Sequence, residues 1–471
     1  MKSTRLGRAI RLTTLAAIAA PATVFAGGFS LNEQSASAMG VANAGAAANP
    51  ENASTVFFNP AGMSQLKGTN LSFGVAMLNI DAEAKSASAT DFFGGDVEGS
   101  TGGDIADLAV LPNFFITHEV NDSIDVGFGI HAPYGLAADY DDDFVGRYFA
   151  DKTELSAISF TPSIAINNGK GLSMGLGMNI MYAEARLTKF QDLRGPFFKQ
   201  TGSPTVAGQL ADQYEADYGA PYSDINGDDI AVNFRVGFLY ELSDRTQFGL
   251  TAQTGTELEL EGEAEITNFP SATLTPTTIS EDANVPLAIP ESITVGARHQ
   301  LNDSVTLLAG ATYARWSRFE GLDVFSTEGD SGEISTALGR TGDQPLSHVT
   351  EKWQNTWQFN VGGIWQATPA WAFKAGYAWD ESPVDEFVTA RVPSSDRHWL
   401  TLGTQWKDAQ SGWTVDAAIG TLLFVDDPKI KEFVYQYDAP SQKDSAAGKS
   451  NYEGEYELDA WSASLQISKA F

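Results

Sequence analysis

Few residues in this chain are spaced for covalent or metal chemistry. The five histidines, His118, His131, His299, His348 and His398, stand singly and show no zinc-ligand spacing. Cysteine is absent, which removes thiolate nucleophiles and disulfides together. The stretch SDINGDD (223–229) sets Asp224, Asn226 and Asp228 at alternate positions, as a calcium loop does, but the later glutamate is missing. Asp139, Asp141, Asp142 and Asp143 could draw divalent cations, and a solvated acidic loop is the simpler reading of both stretches. Nucleophile elbow, P-loop and Cys–His pair are all missing. The expectation is a protein that is not an enzyme, with no metal and no cofactor.

The elements around these residues point to a membrane. Lys2, Arg5, Arg8 and Arg11 precede an apolar run, Leu12 to Ala20, and Val24-Phe25-Ala26 fits a cleavage site, so residues 1–26 read as a secretory signal peptide. The net charge of −31 excludes nucleic acid as a partner, and it is more negative still without the leader. After the leader no apolar run is long enough for a transmembrane helix. The C-terminus, AWSASLQISKAF (460–471), instead alternates: Trp461, Ala463, Leu465, Ile467 and Phe471 share one face, with Lys469 placed to snorkel. Trp357 and Trp365 lie eight residues apart on one face of a segment, as do Trp371 and Trp379 on the next. That spacing is roughly 26 Å along a strand, which suits two aromatic girdles around an apolar band.

Short turns at Asn121-Asp122, Ser243-Asp244, Asn302-Asp303 and Thr368-Pro369 alternate with long Gly-, Asp- and Ser-rich segments, among them 190–228, 263–289 and 427–457. Fourteen alternating segments follow from Thr69 onward. The fold expected is all-β, a fourteen-stranded antiparallel transmembrane barrel over 68–471, the only strand architecture that satisfies its backbone in lipid. Residues 27–67 do not alternate. They are rich in Ala, Gly, Ser and Asn, carry only Glu33 and Glu51 as acids, and hold apolar groups that a wet tail would leave exposed. They read as a small, partly helical hatch in the lumen, with Asn59 capping a turn that starts at Pro60.

The chain resembles the FadL-type long-chain fatty acid transporter family of Gram-negative outer membranes. The resemblance rests on GGFSLNEQSASAMGVANAG (27–45), STVFFNPAGMSQL (54–66), APYGLAADYDDDFVGRY (132–148), NIMYAEARLTKF (179–190), ATYARWSRF (311–319) and FVDDPKI (424–430). It implies a monomeric barrel among outer-membrane lipid and lipopolysaccharide. In such a barrel a fatty acid or similar hydrophobic ligand binds, the hatch rearranges, and the ligand leaves sideways at a kink in the third strand. Pro133 and Gly135 mark that kink, since one lacks a donor and the other a side chain. The family's head-group cation matches Lys189. Its second cation falls near Val349, where the lysine is absent and His348 or Lys352 could substitute. Phe57, Phe58 and Met63, beside the hatch motif Asn59, Pro60, Ala61 and Gly62, are the candidate tail contacts. The alternatives are an aromatic hydrocarbon channel, as in some relatives, a general diffusion porin, or an adhesion barrel that works through its acidic loops.

Overall fold

The computed structural model describes residues 28–437 and 446–471, so the expected signal peptide, 1–26, lies outside the described residues. Fourteen strands wind in chain order into a closed antiparallel barrel. They are β1 (Thr69–Thr90), β2 (Ala109–Asn121), β3 (Ile124–His131, resumed at Gly135–Asp139), β4 (Lys152–Phe160 and Ser163–Asn167) and β5 (Leu172–Phe190). Next come β6 (Tyr222–Ser243), β7 (Thr246–Gln253 and Thr256–Pro270), β8 (Pro276–Ile289 and Ser292–Asn302), β9 (Val305–Ala314) and β10 (Thr356–Gln366). The ring is completed by β11 (Trp371–Asp380), β12 (Arg397–Asp408), β13 (Trp413–Phe424) and β14 (Ala446–Ala470). Closure is a long ladder between the first and last strands, from Asn70↔Ala470 to Thr90↔Asn451. Among the described residues no helix is long and apolar enough to cross a membrane; the crossing elements are strands.

The alternation in the sequence sorts the two faces. Trp357, Phe359, Val361, Trp365, Trp371, Phe373, Trp461, Leu465 and Ile467 are exposed on the outer wall, whereas Ser462, Ser464, Gln466 and Ser468 are buried inside. Lys469 lays its ammonium over the Trp413 and Phe471 rings, 5.2 and 5.3 Å from their centroids, at the periplasmic rim.

Several strands run far past the bilayer, and this corrects the expected loops. Residues 263–289 are not a loop: Thr256–Pro270 pairs with Pro276–Ile289 as a projecting hairpin. Its outward residues are acids and its inward ones apolar, as in Leu258, Leu260 and Ile266. The expected loop 190–228 holds two helices, Arg194–Thr201 and Pro204–Tyr218, before β6 begins at Tyr222. In 427–457, Lys429–Tyr435 forms a strand against the extended β14. Outside the hydrocarbon, alternation persists but the outer face turns from apolar to charged, so a search for lipid-facing stripes stops short.

The hatch occupies the lumen. Residues 36–63 are almost entirely buried, and they bond to strands on many sides. Ser35 Oγ donates to Gln466 Oε1 (2.7 Å), Ser64 Oγ to Ser173 Oγ (2.7 Å), and Gln247 Nε2 to the Ala48 carbonyl. Asn59 caps the 3-10 turn Pro60–Gln65 by accepting from the Ala61 N–H (3.0 Å), and its amide donates to the carbonyls of Ala47 (2.6 Å) and Phe238 (3.0 Å). Lys374, buried on β11, bonds Glu51 of the hatch (2.7 Å), Asp416 of β13 (3.3 Å) and the Ser37 carbonyl (3.0 Å).

Glycines in the inner wall let this backbone come close. A Cβ at Gly237 would lie 2.0 Å from Asn59 Oδ1. Gly237→Val should therefore lift the NPAG turn from its seat while the barrel still folds. The expected result is amide exchange at residues 59–65 roughly tenfold faster or more, with the strand amides unchanged. Mass-spectrometric hydrogen exchange on folded, heat-modifiable protein reads this directly.

Candidate functional site

Two places inside the barrel combine charge with apolar surface. The upper one is built where loops fold over the extracellular end of the lumen. Lys189 stands half-buried near the end of β5, on the same inward face as buried Leu187. Its ammonium has no hydrogen bond or ion pair among the described residues. Arg391 approaches from the loop between β11 and β12 and is the nearest strongly interacting charge. It is buried and pinned: Nη1 donates to Thr153 Oγ1 (2.8 Å) and the Lys152 carbonyl (3.2 Å), and Nη2 to the Thr188 carbonyl (3.0 Å). Its Nε is buried with no partner among the described residues. Burial pulls the Arg391 guanidinium below its usual range, opposed by Glu432 and Glu351.

Those two acids hold the same loop. Glu432 accepts from the Ala390 N–H (2.8 Å). Glu351 accepts from Thr389 Oγ1 (3.1 Å) and Trp353 Nε1 (2.8 Å). Burial pushes Glu351 up to about 8 and Glu432 up to about 7, against the stabilising pull of their hydrogen bonds and of Arg391. Near neutral pH, then, Glu351 is largely protonated and Glu432 about half so. Leu155, Leu187, Val324, Leu346, Val384 and Val392 belong to the apolar cluster that fills this end of the barrel. Cations beside packed apolar surface can hold a carboxylate whose tail needs to leave water.

The lower place is a cavity of about 170 Å³ between the hatch and the inner wall. Phe57 and Phe58 line it, as do Pro133, Tyr134, His131 and Arg235, with asparagines, glutamines, serines and threonines making up most of the rest. At its edge β3 is interrupted. Pairing with β2 ends at Phe114↔Ile130, and the resumed segment pairs only with β4, from Gly135↔Ser156 to Asp139↔Lys152. The hatch takes over the backbone groups released there. The Leu31 N–H donates to the Pro133 carbonyl (3.0 Å), the Gly135 N–H to the Phe29 carbonyl (2.9 Å), and Gln34 Nε2 to the Ala132 carbonyl (2.7 Å).

The structure thus separates residues that the sequence grouped. Lys189 does not line the cavity that holds Phe57 and Phe58. Met63 is fully buried against Val56, Phe115 and Ala165 and packs the hatch to the wall, so it presents nothing to a ligand. His348 does not supply the second cation, because its Nδ1 is bound to Asp323 and its Nε2 to Thr350 (2.9 Å). Lys352 does not either; it is exposed, with its ammonium 5.8 Å from the Phe387 ring centre. The cation that stands by Lys189 is Arg391, and its only signal in the sequence is a charge among Val388, Thr389, Ala390 and Val392. Arg235 was legible by phase, since it shares the inward face of β6 with Asn233. Among the described residues no cluster of His, Asp and Glu is arranged to hold a metal ion.

A closed barrel with aromatic outer belts and a lumen filled by its own N-terminal segment is an outer-membrane transport protein. The chain belongs to the family of outer membrane protein transport proteins (OMPP1/FadL/TodX), which it matches over residues 16–471. It is 26% identical over 433 residues to the long-chain fatty acid transport protein of Escherichia coli (strain K12), covering 88% of this chain and 91% of that one. A FadL homologue of Pseudomonas aeruginosa superposes with a TM-score of 0.79 at 22% identity, over 94% of this chain and 100% of that one. The toluene transporter TodX of Pseudomonas putida superposes with a TM-score of 0.65 at 16% identity, over 96% and 100%. At these identities the two structures establish the shared fold.

The two raised carboxyls give the upper site a pH dependence. At pH 6 both are largely protonated, and Lys189 and Arg391 carry their charges. Between pH 6 and pH 9 Glu432 and then Glu351 ionise, and Lys189, which burial and the neighbouring Arg391 lower to about 8, loses its proton, so all three changes oppose an anion. Binding of dodecyl sulfonate, whose own charge is constant, should weaken roughly tenfold over that range, at about 1 kcal/mol or less per carboxylate. Glu351→Gln with Glu432→Gln should make the profile shallower and leave the step that belongs to Lys189, as read by titration calorimetry on purified protein.

Proposed function

We propose that this protein takes up long-chain fatty acids passively across the outer membrane. The observation that carries the reading is the pair of cations, Lys189 and Arg391, which among the described residues form no ion pair with a carboxylate and stand beside a packed apolar cluster, in a chain with 60 acidic residues. The fatty acid carboxylate docks between them and its tail displaces packed side chains of the upper lumen. The strip Phe29–Gln34, which bonds the interrupted strand, is the part of the hatch whose shift would free the wall at Ala132–Gly135. Lateral exit there would deliver the tail into the bilayer without passing it through water. No energy source is required, because the ligand moves down its gradient and is removed on the inner side. The protein acts as a monomer, surrounded by lipid and lipopolysaccharide.

Its likeness to a toluene transporter supports a second reading, uptake of aromatic hydrocarbons. The two readings differ in their need for charge, since a neutral hydrocarbon gains nothing from a cation. Lys189→Ala and Arg391→Gln should each lower uptake of radiolabelled oleate by roughly tenfold, the value of one charge-assisted pairing. Toluene uptake by the same cells should stay at the level of the unaltered protein. Equal loss of both ligands, or no loss of either, would remove the carboxylate assignment. A hatch-filled lumen disfavours a general diffusion porin, in which deleting residues 27–67 would leave conductance unchanged.

A further inference from the structure

Two lysines reach from the wall into the barrel, and their surroundings differ. Lys374 meets Glu51 and Asp416, so its charge is matched. Lys189 has no hydrogen bond or ion pair among the described residues. The charges that act on it come from three elements. Arg391, from the loop between β11 and β12, is the strongest, and Arg340, from the loop between β9 and β10, adds to it. Glu432, on the strand Lys429–Tyr435, opposes them. Arg391 is fixed beside Lys189, because its Nη2 donates to the carbonyl of Thr188, the preceding residue (3.0 Å). On the apolar side stand Leu187 of the same inward face and Leu155 of β4, both buried.

An unpaired amine beside apolar side chains and a fixed guanidinium is pushed toward its uncharged form, because low polarity and like charge both disfavour the ammonium. Burial first, then Arg391, lower Lys189 to about 8. At pH 7 roughly one molecule in ten then carries the free base there, against less than about one in a thousand for an ordinary lysine. A desolvated lysine of this kind is a nucleophile toward carbonyl carbon. A carboxylate resists such attack, since its negative charge shields the carbon, and with the ammonium form it makes an ion pair. An aldehyde on the same tail is open to attack.

We propose that Lys189 is a covalent capture site for long-chain aldehydes, which it holds as an imine. The tail lies against the apolar cluster, and this part rests on the uptake reading; the chemistry of the amine does not. The Nζ lone pair attacks the carbonyl carbon, a C–N bond forms, and one amine hydrogen moves to the oxygen to give a carbinolamine. The hydroxyl then leaves as water with the second amine hydrogen, and the C=N bond closes. No electrons are gained or lost. The product is neutral, and Arg391 beside it opposes its protonation, the step through which an imine is hydrolysed. One side chain thus sorts two oxidation levels of the same amphiphile: the acid is held by charge and released, the aldehyde is held by a bond.

The test uses purified full-length protein, decanal and propanal as probes, borohydride reduction to fix any imine as a secondary amine, and peptide mass spectrometry. At pH 7 the decyl label on Lys189 should exceed that on any other lysine at least tenfold. Decanal should label Lys189 at least tenfold more than propanal does at equal concentration. From pH 7 to pH 9 the Lys189 label should rise about tenfold, whereas an amine of ordinary pKa gains about a hundredfold. Lys189→Arg, in protein that remains heat-modifiable, should abolish this label and leave the others. The capture site is overturned if Lys189 is labelled no more than exposed lysines, if propanal labels it as well as decanal, or if its label rises a hundredfold over that pH range. Failure of the uptake reading looks different: cells carrying the unaltered protein would take up no oleate, while decanal still labelled Lys189. Normal oleate uptake without preferred label at Lys189 would overturn the capture site and leave the uptake reading standing.

Discussion

Everything in this molecule depends on where backbone hydrogen bonds go when there is no water to take them. Within hydrocarbon an unpaired N–H or C=O costs several kcal/mol, so the ladder must close from β14 back to β1. Beside β3 the ladder is broken, where Pro133 brings no donor and the strand leaves its neighbour after His131. The defect is tolerated because Phe29, Leu31 and Gln34 of the hatch bond the freed groups. The hatch therefore completes the wall there as well as filling the lumen. Because these bonds close the gap, a hatch that let go of Ala132–Gly135 would leave it open.

Charge inside the barrel divides along the same line. Cations that meet carboxylates hold structure. Lys374 ties Glu51 to Asp416, and Arg397 bonds Asp380 with Glu33 of the hatch nearby. Removing one partner from such a buried group costs about 3–5 kcal/mol, enough to keep the hatch seated. Lys189, Arg391 and Arg235 have no such partner among the described residues. Of the acids that act on Arg391, burial keeps Glu351 largely protonated and Glu432 about half protonated near neutral pH, and Asp151 is held by the Thr188 and Tyr222 hydroxyls.

The barrel was legible in the sequence because lipid enforces one rule on every strand, apolar out and small or polar in. Trp357 and Trp365, or Trp461 and Ser462, announce their faces without any knowledge of neighbours. The Asn59-Pro60 turn was legible for a different reason, since capping is local. The outer part of the hairpin, 263–289, was missed because its outward residues include Glu263, Glu265 and Asp282, where water has replaced lipid. The pair of cations was half visible. Lys189 sits on a strand whose phase can be read, whereas Arg391 sits in a loop that reaches β4 and β5 only through the fold. His348 failed as a substitute because Asp323, its neighbour across a short strand pair, claims it. Nothing within a few residues of His348 foretells that.

The seam between β1 and β14 also fixes an order of birth. A hatch bonded to strands on many sides, with Glu51 locked to Lys374, cannot be threaded into a finished cylinder through a lumen it fills. It must fold against the open, curling sheet while the first and last strands are still apart. The C-terminal strand then zips shut over contents already in place, from Asn70↔Ala470 at the periplasmic rim to Thr90↔Asn451 above the membrane. A hatch that seats badly is thus a defect of construction as well as of gating, and the cell would meet it as a barrel that fails to seal.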